Sequence, residues 1–132
     1  MLRAISYVII LVKDEDEALD FYCTKVGLEK RDDGFAPDGH RWVSVGVRGK
    51  ARPELVLLKA GTESQNAALG KQTGDIVSVI IDTDDCDRDY ELLKSRGVEF
   101  LGPPQPMPFG KEVAFKDLYG NIIELNQDSR NL

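Results

Sequence analysis

The chain has 132 residues with 12 Gly and 6 Pro, and is 42% hydrophobic and 30% charged, the size and balance of one ordinary globular domain and unlike disordered or collagen-like chains. Seventeen Lys and Arg against 23 Asp and Glu give a formal charge of −6, so nucleic acid or an anionic lipid surface would meet a repulsive field and neither is an expected partner. Cys23 and Cys86 form no CxxC spacing or metal-binding cluster and read as free thiols of a reducing cytoplasm, while the apolar run Tyr7 to Val12 is too short for a membrane span and lacks a cleavage site.

In chain order, Ile5 to Val12 predicts a strand that runs into Asp14. Asp14 with Glu17 three residues on makes a capping box, and the acidic block 14–17 stands where the helix macrodipole favours anions. Leu19, Tyr22, Cys23 and Val26 recur at helical spacing and Gly27 ends the helix. Strands follow at about 28–34, 41–47 and 53–59, with Val43, Val45 and Val47 on one face and turns at Gly34, Pro37-Asp38-Gly39, Gly49 and Pro53. Residues 60–74, small and polar, predict a linker with one helical turn at Asn66 to Leu69. Ile76 to Ile81 predicts a strand leading to Asp85. A second helix then has Cys86, Tyr90 and Leu93 on its apolar side and ends at Gly97. Strands at about 98–102, 111–116 and 121–126 complete the chain. Both cysteines are read as facing the core.

The two halves repeat one another. Asp14 and Asp85 are 71 positions apart, Gly27 and Gly97 are 70 apart, and the Glu-Leu pairs at Glu54 and Glu124 are again 70 apart. The repeat predicts an α+β domain over 1–132, made of two βαβββ modules at about 3–59 and 75–127, with eight strands and two main helices.

Several segments carry a family resemblance: Val12-Lys13-Asp14, Ala18-Leu19-Asp20-Phe21-Tyr22, Val26-Gly27-Leu28, Arg41-Trp42-Val43, the run Leu92 to Val98, and above all Ala114-Phe115-Lys116-Asp117-Leu118-Tyr119-Gly120-Asn121-Ile122-Ile123-Glu124-Leu125. The chain resembles, over almost its whole length, a single-domain member of the vicinal oxygen chelate superfamily, which includes glyoxalase I, bleomycin-resistance proteins and extradiol dioxygenases. Leu118 stands where that family more often has Pro. The resemblance implies an open, barrel-like eight-stranded sheet around a cavity, commonly in a homodimer with swapped or edge-to-edge modules. It also implies that the family's four metal positions fall on Tyr7, Glu54, Ser78 and Glu124.

Tyr7 and Ser78 replace the imidazoles usual at those positions. A phenol with a pKa of about 10 and an alcohol are poor ligands at neutral pH, so no tight Zn, Ni, Co or Fe site is expected, and two Glu would hold at most a hard cation such as Mg²⁺ weakly through water. Glu54 and Glu124 facing each other would act as an acid/base pair, with Tyr7 assisting. Alternatively, each is simply hydrogen-bonded or turned to solvent. Trp42, Phe109 and Tyr119 join Tyr7 and Ser78 as candidate ligand contacts, and the proline-rich loop 103–110 either edges the pocket or tucks Met107 and Phe109 into the core or a dimer seam. His40 reads as a solvated turn residue or a proton shuttle, and Arg48, Lys50 and Arg52 as a solvated turn or an anion contact. There is no P-loop, nucleophile elbow or Cys/His pair. The sequence therefore favours a cytoplasmic protein that binds a small organic molecule. A glyoxalase-type lyase or isomerase is the first alternative, and a non-catalytic interaction module with a filled cavity is the second.

Overall fold

In the computed structural model, which describes residues 1–131, the chain divides between Gly70 and Lys71 into two units. The first unit contains β1 (Tyr7–Val12), α1 (Glu15–Leu19) continued by a π-helical turn (Asp20–Lys25), β2 (Glu29–Phe35), β3 (Arg41–Gly46), β4 (Glu54–Lys59) and α2 (Glu63–Ala68). Its four-stranded sheet has the order β1-β4-β3-β2, with β1 parallel to β4 and the other pairs antiparallel. A parallel pair needs a long crossover, which the helix and the β2–β3 hairpin supply here. Neither edge of this sheet closes on the other.

Strand alternation sorts the residues of this sheet. Ile10, Val12, Val43, Val45, Leu55 and Leu57 share one face and are buried, as are Ala18, Phe21 and Tyr22 of the helix. Each fully buried side chain of this kind contributes about 1.5–3 kcal/mol. Val47, expected on the same face, lies beyond the end of β3 and is exposed. The helix begins as expected, with Asp14 Oδ1 accepting from the Glu17 amide at 2.9 Å. It departs from the expected spacing after Leu19, where the turn widens and the amide of Val26 reaches the carbonyl of Phe21 at 2.9 Å. The wider turn changes the phase of the buried face, so Phe21 is buried while Leu19 and Cys23 are only partly covered. The predicted helical turn at 66–69 is instead the longer α2, capped by Thr62, whose hydroxyl accepts from the Gln65 amide at 3.0 Å.

The second unit contains β5 (Val79–Asp82), α3 (Cys86–Ser95), β6 (Glu99–Phe100), β7 (Gln105–Met107), β8 (Gly110–Lys116), β9 (Ile122–Asp128) and a terminal 3₁₀ turn (Ser129–Asn131). Its order is β5-β9-β8-β6, with β7 also paired to β8. Again the first and last strands are parallel, with Ile80 opposite Glu124. Helix α3 packs on β8 and β9 and starts at Asp85, whose Oδ1 accepts from the Arg88 amide at 3.0 Å. Val113, Phe115, Ile123 and Leu125 form the buried face with Cys86, Leu93 and Val98. The strand expected over 98–102 shrinks to two residues, because Pro103 and Pro104 have no amide to continue a ladder. The chain resumes pairing as β7, a short edge strand that tolerates Pro106. Among the described residues no helix is long and apolar enough to cross a membrane.

Candidate functional site

In the first unit, the sheet face opposite the core carries Tyr7 on β1, Trp42 and Ser44 on β3, and Glu54 on β4. Register places Tyr7 directly beside Glu54, and residues opposed in this way point to the same side. The Tyr7 ring, 40% exposed, stands edge-on to Trp42, with ring centroids 5.5 Å apart and planes at 83°, the arrangement favoured by aromatic quadrupoles. Glu54 is buried at 8% exposure. Its Oε1 accepts from the Ser44 hydroxyl at 2.7 Å, and its Oε2 lies 3.4 Å from Nη1 of Arg52. The Arg52 guanidinium also sits over the Tyr7 ring, 5.4 Å from its centroid. Arg52, which has a solvated reading in the sequence, is thus a member of this site.

In the second unit, Glu124 occupies the equivalent place on β9, but its neighbours differ from the expected ones. Ser78 precedes β5, and both its amide and its hydroxyl donate to the carbonyl of Ile122, at 2.8 and 3.1 Å. The residue opposite Glu124, as Tyr7 is opposite Glu54, is Ile80. A shift of two residues keeps the face but moves the side chain along the strand by about 6.6 Å. The group that acts on Glu124 is Glu112, which sits on the same face of β8 two pairs along, opposite Asn126. Burial, and then hydrogen bonding and repulsion from Glu112, push the Glu124 carboxyl above its ordinary value. The two carboxyls line an open pocket of about 330 Å³ together with Leu101, Gly102, Pro103, Gln105, Val113 and Ala114.

The remaining candidates are placed as follows. Phe109 is 49% exposed and lies under the Arg130 guanidinium, 3.9 Å from its ring centroid, at the edge of a pocket of about 250 Å³. It is not tucked into the core. Tyr119 belongs to the turn between β8 and β9, where buried Asp117 accepts from the amides of Tyr119 and Asn121 at 2.9 Å each. His40 is exposed and bonded to Asp38 within its own turn. Trp42 also lines an open pocket of about 510 Å³ with Asp32 to Pro37. Both cysteines are free, and burial together with Asp87 and Asp89 pushes the Cys86 thiol up to about 11.

The family that the sequence resembles holds a divalent metal at these positions, and this chain's donors there differ. Tyr7 offers a phenol in place of an imidazole, Glu54 is already engaged by Ser44 and Arg52, and an isoleucine stands opposite Glu124. Among the described residues no three His, Cys, Asp or Glu side chains are grouped as ligands. Within each unit this donor set does not fit a tightly held transition-metal ion.

Comparison with known proteins gives one family match and close structural neighbours. The family model described as Glyoxalase/Bleomycin resistance protein/Dioxygenase superfamily matches residues 4–125. An uncharacterized protein of Shewanella frigidimarina (strain NCIMB 400) is 36% identical over 128 residues, 96% of this chain and 95% of that protein. The crystal structure of UcmS2 is 34% identical with a TM-score of 0.84, covering 96% of this chain and 98% of UcmS2. TnmS3 of Streptomyces sp. CB03234, described as an antibiotic binding protein, is 31% identical with a TM-score of 0.80, over 97% of this chain and 98% of TnmS3.

Proposed function

The chain belongs to the glyoxalase/bleomycin resistance protein/dioxygenase superfamily, and from that premise we propose that it binds a small organic molecule without a tightly held transition metal. The observation that carries this reading is the Tyr7–Trp42 pair. Where the family's metal chemistry calls for an imidazole, this chain presents a half-exposed phenol ring edge-on to an indole, and the neighbouring carboxylate lies 3.4 Å from Arg52. Such a surface offers apolar area with few polar groups, the make-up of an organic-ligand site rather than a chelating one. The description of TnmS3 as an antibiotic binding protein supports the same class of ligand, with Phe109 and Tyr119 as further contacts.

Trp42 is the chain's single tryptophan, so its emission reports binding at this face directly. Titration with a panel of aromatic small molecules is expected to quench it, and Tyr7→Ala is expected to weaken the best binder by up to about tenfold, the worth of one aromatic pair. Metal analysis of purified protein is expected to find no stoichiometric transition metal. Stoichiometric zinc or nickel, released by chelator with loss of turnover of the methylglyoxal–glutathione adduct, would overturn the proposal.

The raised carboxyl of Glu124 favours a second reading, a lyase or isomerase in which Glu124 moves a proton next to a carbonyl, with Glu112 as its acidic neighbour within the second unit. Glu124→Gln abolishing turnover, with ligand binding retained, would establish it. Either reading includes a homodimer, checked by sedimentation equilibrium, in a reducing compartment suited to two free thiols.

A further inference from the structure

Resting on the binding reading above, we propose that Arg52 makes the aromatic face of the first unit selective for aromatic acids: the ligand's ring lies against Tyr7 and Trp42, and its carboxylate is held by the Arg52 guanidinium. The Glu54 side chain is 10% exposed and that of Arg52 is 45% exposed. The carboxylate is therefore a buried counter-charge, and the accessible partner is the cation.

Glu54 is itself held in place. Ser44, wholly buried, donates its hydroxyl to Oε1 at 2.7 Å and accepts the amide of Asp32 at 3.1 Å. Arg52 contacts the other oxygen at 3.4 Å, longer than the usual N–H···O range of about 2.7–3.2 Å. This contact draws the guanidinium toward Glu54 while using one of its five N–H donors. The planar fork therefore keeps donors for a second, bidentate carboxylate, the geometry in which arginine is most effective.

The segment bearing Arg52 is anchored as well. Nη2 of Arg31 donates to the carbonyls of Val47 and Lys50, both at 2.7 Å, tying down the turn between β3 and β4. That turn also carries Arg48 and Lys50, both exposed, which makes it locally positive in a chain of net charge −6. Beneath the guanidinium the Tyr7 ring, 5.4 Å away, favours a cation over its face. A cation, an aromatic ring and an indole edge thus lie in sequence along one sheet face. An aromatic acid matches that order.

The test uses isothermal titration of the full chain with 2-naphthoate and with its neutral counterpart 2-naphthamide. Wild-type protein is expected to bind naphthoate about tenfold tighter, the gain of a charge-assisted pair over a neutral one. Arg52→Gln alone strands a buried carboxylate and risks misfolding, so the deciding variant is Arg52→Gln/Glu54→Gln, which removes both charges together. It is expected to bring the two affinities to within about twofold, and Arg52→Lys to give an intermediate ratio, since lysine keeps the charge and loses the fork. Equal wild-type affinities for the two compounds, or a preference for naphthoate that survives in the double variant, would overturn the role of Arg52 while leaving ligand binding at this face intact. Binding of neither compound, with Trp42 emission unmoved, would overturn the binding reading and this inference together.

Discussion

Ser44 lies between Val43 and Val45, and all three are wholly buried. Alternation along β3 correctly placed the two valines against the core. The same rule sends the intervening serine outward, where a polar side chain ordinarily meets water. Instead its hydroxyl bridges the Asp32 amide and the Glu54 carboxylate, and neither partner could be read from sequence, because each lies about a strand's length or more away along the chain. Removing a hydrogen-bond partner from a buried carboxylate costs about 1–3 kcal/mol. Ser44→Ala is accordingly expected to lower unfolding stability by about that amount in urea, with an unchanged denaturant slope. At Glu54 the sequence shows the carboxyl, and only packing shows that Ser44 and Arg52 contact it.

Among the elements, the strand that follows the proline-rich loop depends on one close approach. A Cβ added to Gly110 would stand 1.8 Å from the carbonyl oxygen of Gln127 and 2.7 Å from its carbon, far inside van der Waals contact with a backbone group that cannot swing away. Gly110→Ala must therefore spread β8 and β9 at the pair Gly110–Asp128. It is expected to cost about 1–3 kcal/mol, as overpacking does. Gly102→Ala, where a Cβ would meet nothing within 4 Å, is the control and should shift the thermal midpoint little. Gly110 reads from sequence as the last residue of a loop, since nothing local announces that another strand's carbonyl fills the space. The helix starts are the opposite case. Asp14 and Asp85 cap their helices as their spacing predicts, because capping is settled within four residues of chain.

Across the whole molecule, the carboxyls whose values are shifted fall into two groups with opposite pH dependence. Asp33, Asp84 and Asp128 are held below the ordinary carboxylate value, first by hydrogen bonds to Arg41, Arg88 and Arg130 respectively. A carboxyl with a lowered folded value stabilises the fold above the ordinary range, and that contribution is lost as pH falls through the lowered value. Glu124 runs the other way. Its raised value means that its favourable contribution is complete below the ordinary range and is lost as pH rises through the raised value. Glu112→Gln removes the repelling neighbour, so it is expected to raise the thermal midpoint at pH 7 and to have a much smaller effect near pH 3, where Glu124, with its raised value, carries no charge to repel. A gain of equal size at both pH values would show that Glu112 acts through packing and not through charge.

The sequence by itself determined the duplication, the α+β class, the helix starts and most of the apolar faces, because each is written in periodicity or in neighbours a few residues apart. Only the tertiary structure decided that Ile80 rather than Ser78 stands opposite Glu124, that Glu112 shares its pocket, and that Arg52 lies on Tyr7. Alternation tells which side of a strand a residue faces, whereas its partner is chosen by hydrogen-bond register between strands, and a displacement of two residues leaves the pattern unchanged while exchanging every neighbour.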